Sequence, residues 1–143
     1  VPVFYKDNAP FVIGKAQHMM RGDDITIIAT GHLVWEAIQA ALALKEMGID
    51  ADVINMHTIK PLDEVAIIES AKRTGKVVTA EEHQRNGGLG GSVAQVLAEH
   101  HPTPMRMVAV EDSFGESGTP AQLMEKYGLT ADSIKRKALE LIG

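Results

Sequence analysis

The chain contains no cysteine. Disulfides, thiolate nucleophiles and cysteine-ligated zinc are therefore excluded. It has no excess of basic charge either: the formal net charge is −5, and no basic cluster relieves that balance. This argues against a nucleic-acid-binding face. No apolar run approaches the roughly 18 residues of a membrane span, and no signal-peptide pattern opens the sequence. The expected setting is the cytoplasm, with neither membrane nor nucleic acid as partner. Internal repeats and low-complexity tracts are missing. Two catalytic signatures are missing as well: the P-loop's Gly-Lys-Ser/Thr and the Gly-x-Ser-x-Gly nucleophile elbow.

What is present is enough for one domain. A chain of 143 residues buries roughly 68–70% of its unfolded surface, which supports a real core. Residues 1–13 read as a linker or lead-in, because Val1 to Pro10 carries two prolines and no helical periodicity. Residues 14–143 form the expected domain. Four near-continuous apolar runs predict buried parallel strands: Ile25 to Thr30, Ala51 to Met56, Lys76 to Ala80 and Met105 to Val110. Helical segments lie between them. His32 to Met47 has one apolar face and Gly48 as its stop. Asp63 is the expected N-cap of a helix that ends at Gly75. A further strand at Gly14 to Met20 precedes a turn too short for a parallel crossover, so it should lie antiparallel at an edge. The alternation predicts a three-layer α/β/α sandwich with a five-stranded mixed sheet, four strands parallel and the N-terminal one antiparallel. Toward the C-terminus, Thr119-Pro120-Ala121-Gln122 reads as a capping box for a helix stopping at Gly128. Thr130 should cap another helix, Ala131 to Ile142.

The candidate site is the stretch Thr79 to Ser92, which has four glycines in five positions, 87 to 91. A helix from Ser92 to His100 is expected to follow. Its N-terminal N–H groups would be available to an anion or to a neighbouring subunit. A dinucleotide fingerprint fails because Val93 stands where the third small residue belongs. Glu81 and Glu82 should weaken phosphate capture, which favours a neighbour over a free anion. Glu81-Glu82-His83 cannot converge on one ligand if extended, since alternate side chains face opposite ways. His32, opening a helix after another strand, could share a crevice with His83 where strand order reverses. Phe114, in the loop Asp112 to Gly118, reads as that loop's buried anchor.

At this point the residues match a family. The chain resembles the C-terminal domain of transketolase along essentially its whole length. The matching segments are Gly14-Lys15-Ala16, Asp24 to Gly31, Lys60-Pro61-Leu62-Asp63, Glu81-Glu82-His83, Gly87-Gly88-Leu89-Gly90, Asp112 to Gly118 and Gly128-Leu129-Thr130. The Phe114-Gly115-x-Ser117-Gly118 element is more similar to transketolase than to deoxyxylulose-phosphate synthase or 2-oxoacid dehydrogenase β-subunits. The overall pattern is most similar to split transketolases, in which the pyrimidine-binding and C-terminal domains share one subunit.

The resemblance implies strand order 1-3-2-4-5. It also implies that thiamine diphosphate and Mg²⁺ belong to the other domains of the complete enzyme. No catalytic, cofactor-binding or metal residue of the family maps onto this chain. The implied role is a scaffold and interface domain. Its partners would be the pyrimidine-binding and diphosphate-binding domains, in a homo-oligomer. The residues alone also leave open a stand-alone module that binds an anion at the glycine loop. The candidate ligand or interface residues are His32, Glu82, His83, Gly87, Gly88, Gly90 and Phe114.

Overall fold

In this computed structural model, residues 14–57, 61–84, 88–110 and 130–143 are described. Five strands form one sheet: β1 (Gln17–Met20), β2 (Ile25–Ala29), β3 (Ala51–Asn55), β4 (Val77–Gln84) and β5 (Met105–Val110). Their order is β1-β3-β2-β4-β5, as the family resemblance implies. β1 pairs antiparallel with β3 at the edge, Gln17 opposite Asn55, while the β3–β2, β2–β4 and β4–β5 ladders are parallel. The direction of β1 follows from the four-residue turn after Met20, which can reverse the chain but cannot carry it over the sheet.

All five residues of β2 and all five of β3 are buried. A strand covered on both faces is mostly apolar on both, and Ile25, Ile27, Ile28, Val53 and Ile54 supply this, with Thr26, Asp52 and Asn55 as buried polar exceptions. Ile27 and Ala29 face the layer of helices α1 (Leu33–Glu46) and α4 (Ala131–Ile142), where they meet Leu33, Ile38, Leu44 and Ile134. Ile28 faces the opposite layer, α2 (Glu64–Thr74) and α3 (Leu89–His100), where it meets Ile67, Leu89, Val93 and Leu97. Fully burying one such side chain is worth roughly 1.5–3 kcal/mol. These two apolar layers therefore carry most of the stability, and the polar contacts decide geometry.

Most helix ends fall where local chemistry places them. The Asp63 side chain accepts from the Ala66 N–H at 3.2 Å, and Gly75 closes α2 in the left-handed conformation at φ 75°. Thr130 caps α4 by accepting from the Ser133 N–H at 3.3 Å. Three boundaries differ from expectation by more than one residue, the first being β1, which begins at Gln17 rather than Gly14. Helix α3 begins at Leu89 rather than Ser92, so Gly90 and Gly91 are helical. β4 runs on to Gln84 rather than stopping at Ala80, and Gln84 still pairs with Val110 of β5. The lead-in 1–13, the capping box at 119–122, the helix ending at Gly128 and the loop holding Phe114 lie outside the described residues. Among the described residues, no helix is long and apolar enough to cross a membrane.

Candidate functional site

Strand order reverses between β2 and β4, and the carboxyl ends of these two strands meet there. Ligands of open α/β sheets collect at such a reversal. β2 ends in Thr30 and Gly31, the latter at φ 58°, and His32 opens α1. β4 brings Glu81 and Glu82 to the same end. Because alternate strand residues face opposite ways, the two acids reach different helix layers.

Glu81 turns toward α3 and is 1% exposed. Its Oε1 accepts from the Leu89 N–H at 2.7 Å and its Oε2 from the Gly90 N–H at 2.6 Å. A carboxylate at a helix N-terminus satisfies orphan donors and opposes the positive end of the dipole. This explains the early start of α3: the cap is supplied from the strand, so the helix can begin inside the glycine run. Gly88 stands at the N-cap in an extended conformation and its carbonyl accepts from the Ser92 N–H at 3.1 Å. Gly90 is required by proximity. A Cβ there would lie 2.8 Å from Met107 Sδ and 3.0 Å from Thr79 Oγ1, so only glycine lets the first turn of α3 sit this close to the sheet.

Glu82 turns the other way and is exposed. Its Oε1 accepts from the His32 N–H at 3.2 Å. His32 and Glu82 therefore meet at the reversal through this one bond. His83 lies on β4, but its side chain falls outside the described residues, as does Gly87. The sequence alone leaves the α3 N–H groups to an anion or a neighbour. The structure corrects this for Leu89 and Gly90, whose N–H groups are taken by the chain's own Glu81. Acidic side chains serve the other helices in the same way: the Glu36 Oε1 of α1 accepts from the Ala131 N–H of α4 at 3.0 Å, and Asp63 caps α2.

A buried polar cluster lies at the opposite end of the parallel strands, and sequence reasoning missed it. Its centre is Asp52, whose side chain is fully buried within the apolar run of β3. Ser70 Oγ donates to Asp52 Oδ2 at 2.6 Å, the Gly22 N–H donates to Oδ1 at 3.1 Å, and His18 Nε2 lies 3.1 Å from Oδ2. Arg73 Nη2 stands 2.6 Å from Oδ2 as an ion pair rather than an aligned hydrogen bond. Thr26 Oγ1 continues the cluster, 2.6 Å from Ser70 Oγ and 2.7 Å from Thr74 Oγ1. The available signal is a single carboxylate flanked by the apolar Ala51, Val53 and Ile54. A Ser, an Asp and a His meet here, but not as a catalytic relay. Nucleophile activation needs the imidazole between hydroxyl and carboxylate, and here the carboxylate is in the middle. Among the described residues, no group of three His, Asp or Glu side chains could hold a metal ion.

Burial alone would raise the Asp52 pKa. Hydrogen bonds from His18, Ser70 and Gly22, together with the charge of His18, outweigh it and hold the carboxyl at about 2 against an ordinary 3.8. A folded-state pKa below the unfolded one contributes stability that is present above about pH 4 and is lost as pH falls toward 2. The shift corresponds to something on the order of 2 kcal/mol. An Asp52→Asn protein is therefore expected to be less stable at pH 7 and to lose less further stability between pH 4 and 2. Urea titrations at pH 7, 4 and 2 measure this, and parallel acid profiles for the two proteins would overturn the assignment.

The Thr79 hydroxyl is buried beneath Gly90 and has no hydrogen-bond partner among the described residues. Leaving a buried hydroxyl unpaired costs about 1–3 kcal/mol. Thr79→Val, nearly the same in shape, should raise the urea midpoint at constant slope, by about 1 kcal/mol in stability. A lower midpoint would mean that the hydroxyl is paired.

A family model described as the transketolase C-terminal domain matches residues 14–134. This chain belongs to the transketolase C-terminal domain family. The transketolase C-terminal domain described above is 50% identical over 135 residues to the 6-deoxy-6-sulfo-D-fructose transketolase subunit SqwH of Clostridium sp., covering 94% of this chain and 42% of that protein. It is 43% identical over 136 residues to a putative transketolase C-terminal section of Methanocaldococcus jannaschii, covering 94% of this chain and 42% of that one. Among solved structures it is similar to a split-gene transketolase, an inactive β4 tetramer, at TM-score 0.93 and 44% identity over 99% of this chain and 46% of that chain. The domain thus spans less than half the length of these relatives.

Proposed function

We propose that this chain is the scaffold and interface domain of a split, thiamine-diphosphate-dependent transketolase, and that residues 1–13 lead into it. The complete cytoplasmic enzyme would move a two-carbon ketol unit between sugar phosphates. The observation that carries this reading is the state of Glu81. Of the two adjacent acids at the carboxyl end of β4, Glu81 is buried with both oxygens spent on α3, and Glu82 accepts from the His32 N–H. Asp52 is enclosed at the far end in the same manner. The donor set of the described residues does not fit a diphosphate and its magnesium. Backbone N–H groups that could meet phosphate oxygens already face a carboxylate, and no acid cluster among the described residues is free to ligate the ion. No step of ketol transfer falls to this chain's residues in this reading. Its work would be to pack against the pyrimidine-binding domain and the diphosphate-binding subunit and to take part in a homo-oligomer. The similar split-gene transketolase is a β4 tetramer, which supports self-association.

The chain alone is expected to give no heat with thiamine diphosphate and Mg²⁺ by titration calorimetry. Supplying the remaining domains and the second subunit should restore ketol transfer. Micromolar cofactor binding by the chain alone would sink the scaffold reading. Tight phosphate binding without the cofactor would instead favour a stand-alone anion-binding module.

A further inference from the structure

We draw no further inference here: the strongest candidate, the crevice of Gly31, His32 and Glu82 at the reversal between β2 and β4, belongs to the site already described, and the His32 N–H that would anchor a ligand there is already taken by the Glu82 carboxylate.

Discussion

Gly22→Ala should be among the most damaging single substitutions in this domain. Gly22 lies in the turn between β1 and β2, and its neighbour is the main chain of β3. A Cβ there would lie 2.4 Å from the Ala51 carbonyl carbon, 2.5 Å from its oxygen and 2.6 Å from the Asp50 carbonyl carbon. No rotamer relieves a clash with backbone, so the turn itself must move. Moving it strains the Gly22 N–H bond to Asp52 and the Arg73 Nε contact to the Gly22 carbonyl at 3.3 Å. Overpacking typically costs about 1–3 kcal/mol, and a lost hydrogen bond to a buried charge about 1.5–3 more. The combined loss is about 4 kcal/mol, a fall of roughly 10 °C in melting temperature at this chain length. Calorimetric melting of both proteins measures it. A fall of only a degree or two would show that the turn stands further from β3 than the structure places it.

Glu81→Ala should be comparably severe for a different reason. The substitution leaves the Leu89 and Gly90 N–H groups without their acceptors and opens a void beside them. Hydrogen bonds to a charged group are worth about 1.5–3 kcal/mol each, so a loss of about 3–5 kcal/mol follows. Glu81→Gln is the informative companion. The amide keeps the volume and one acceptor oxygen but turns an N–H₂ group toward the second N–H. Its stability should fall between those of the parent and the Glu81→Ala protein. Hydrogen exchange locates the damage: protection of the first turn of α3 should drop before that of β2. If the Glu81→Gln protein behaves like the parent while Glu81→Ala does not, the void rather than the cap accounts for the loss.

The parts of this fold that were legible in the sequence are those whose causes are local. Helix α2 starts and stops where Asp63 and Gly75 put it, because cap and helix are neighbours in the chain. The edge position of β1 follows from the length of its turn. The α3 start was misplaced because its cap sits on β4, eight residues upstream, and reads there as an ordinary polar strand end. For a related reason the apolar run alone ends β4 at Ala80: the strand continues past an irregularity to Gln84, whose pairing with Val110 is made by β5 and not by local propensity. Asp52 was passed over because its partners His18, Gly22, Ser70 and Arg73 come from three separate stretches. The sequence places His32 and His83 together at the strand reversal; the structure shows a bond there from the His32 backbone N–H to Glu82, while the His83 side chain lies outside the described residues.

Adjacent acids on β4 that serve opposite helix layers also limit how this segment can change length. Adding or deleting one residue between Val77 and Glu81 would reverse the facing of everything beyond it. The carboxylate meant for α3 would then turn toward α1 while its neighbour turned inward, and both helix mouths would lose their acceptors at once. Two-residue changes preserve the facing but move the tip by about 7 Å along the strand axis. Length variation among descendants of this sequence should therefore be absent from β4 and be taken up beyond Gln84 instead.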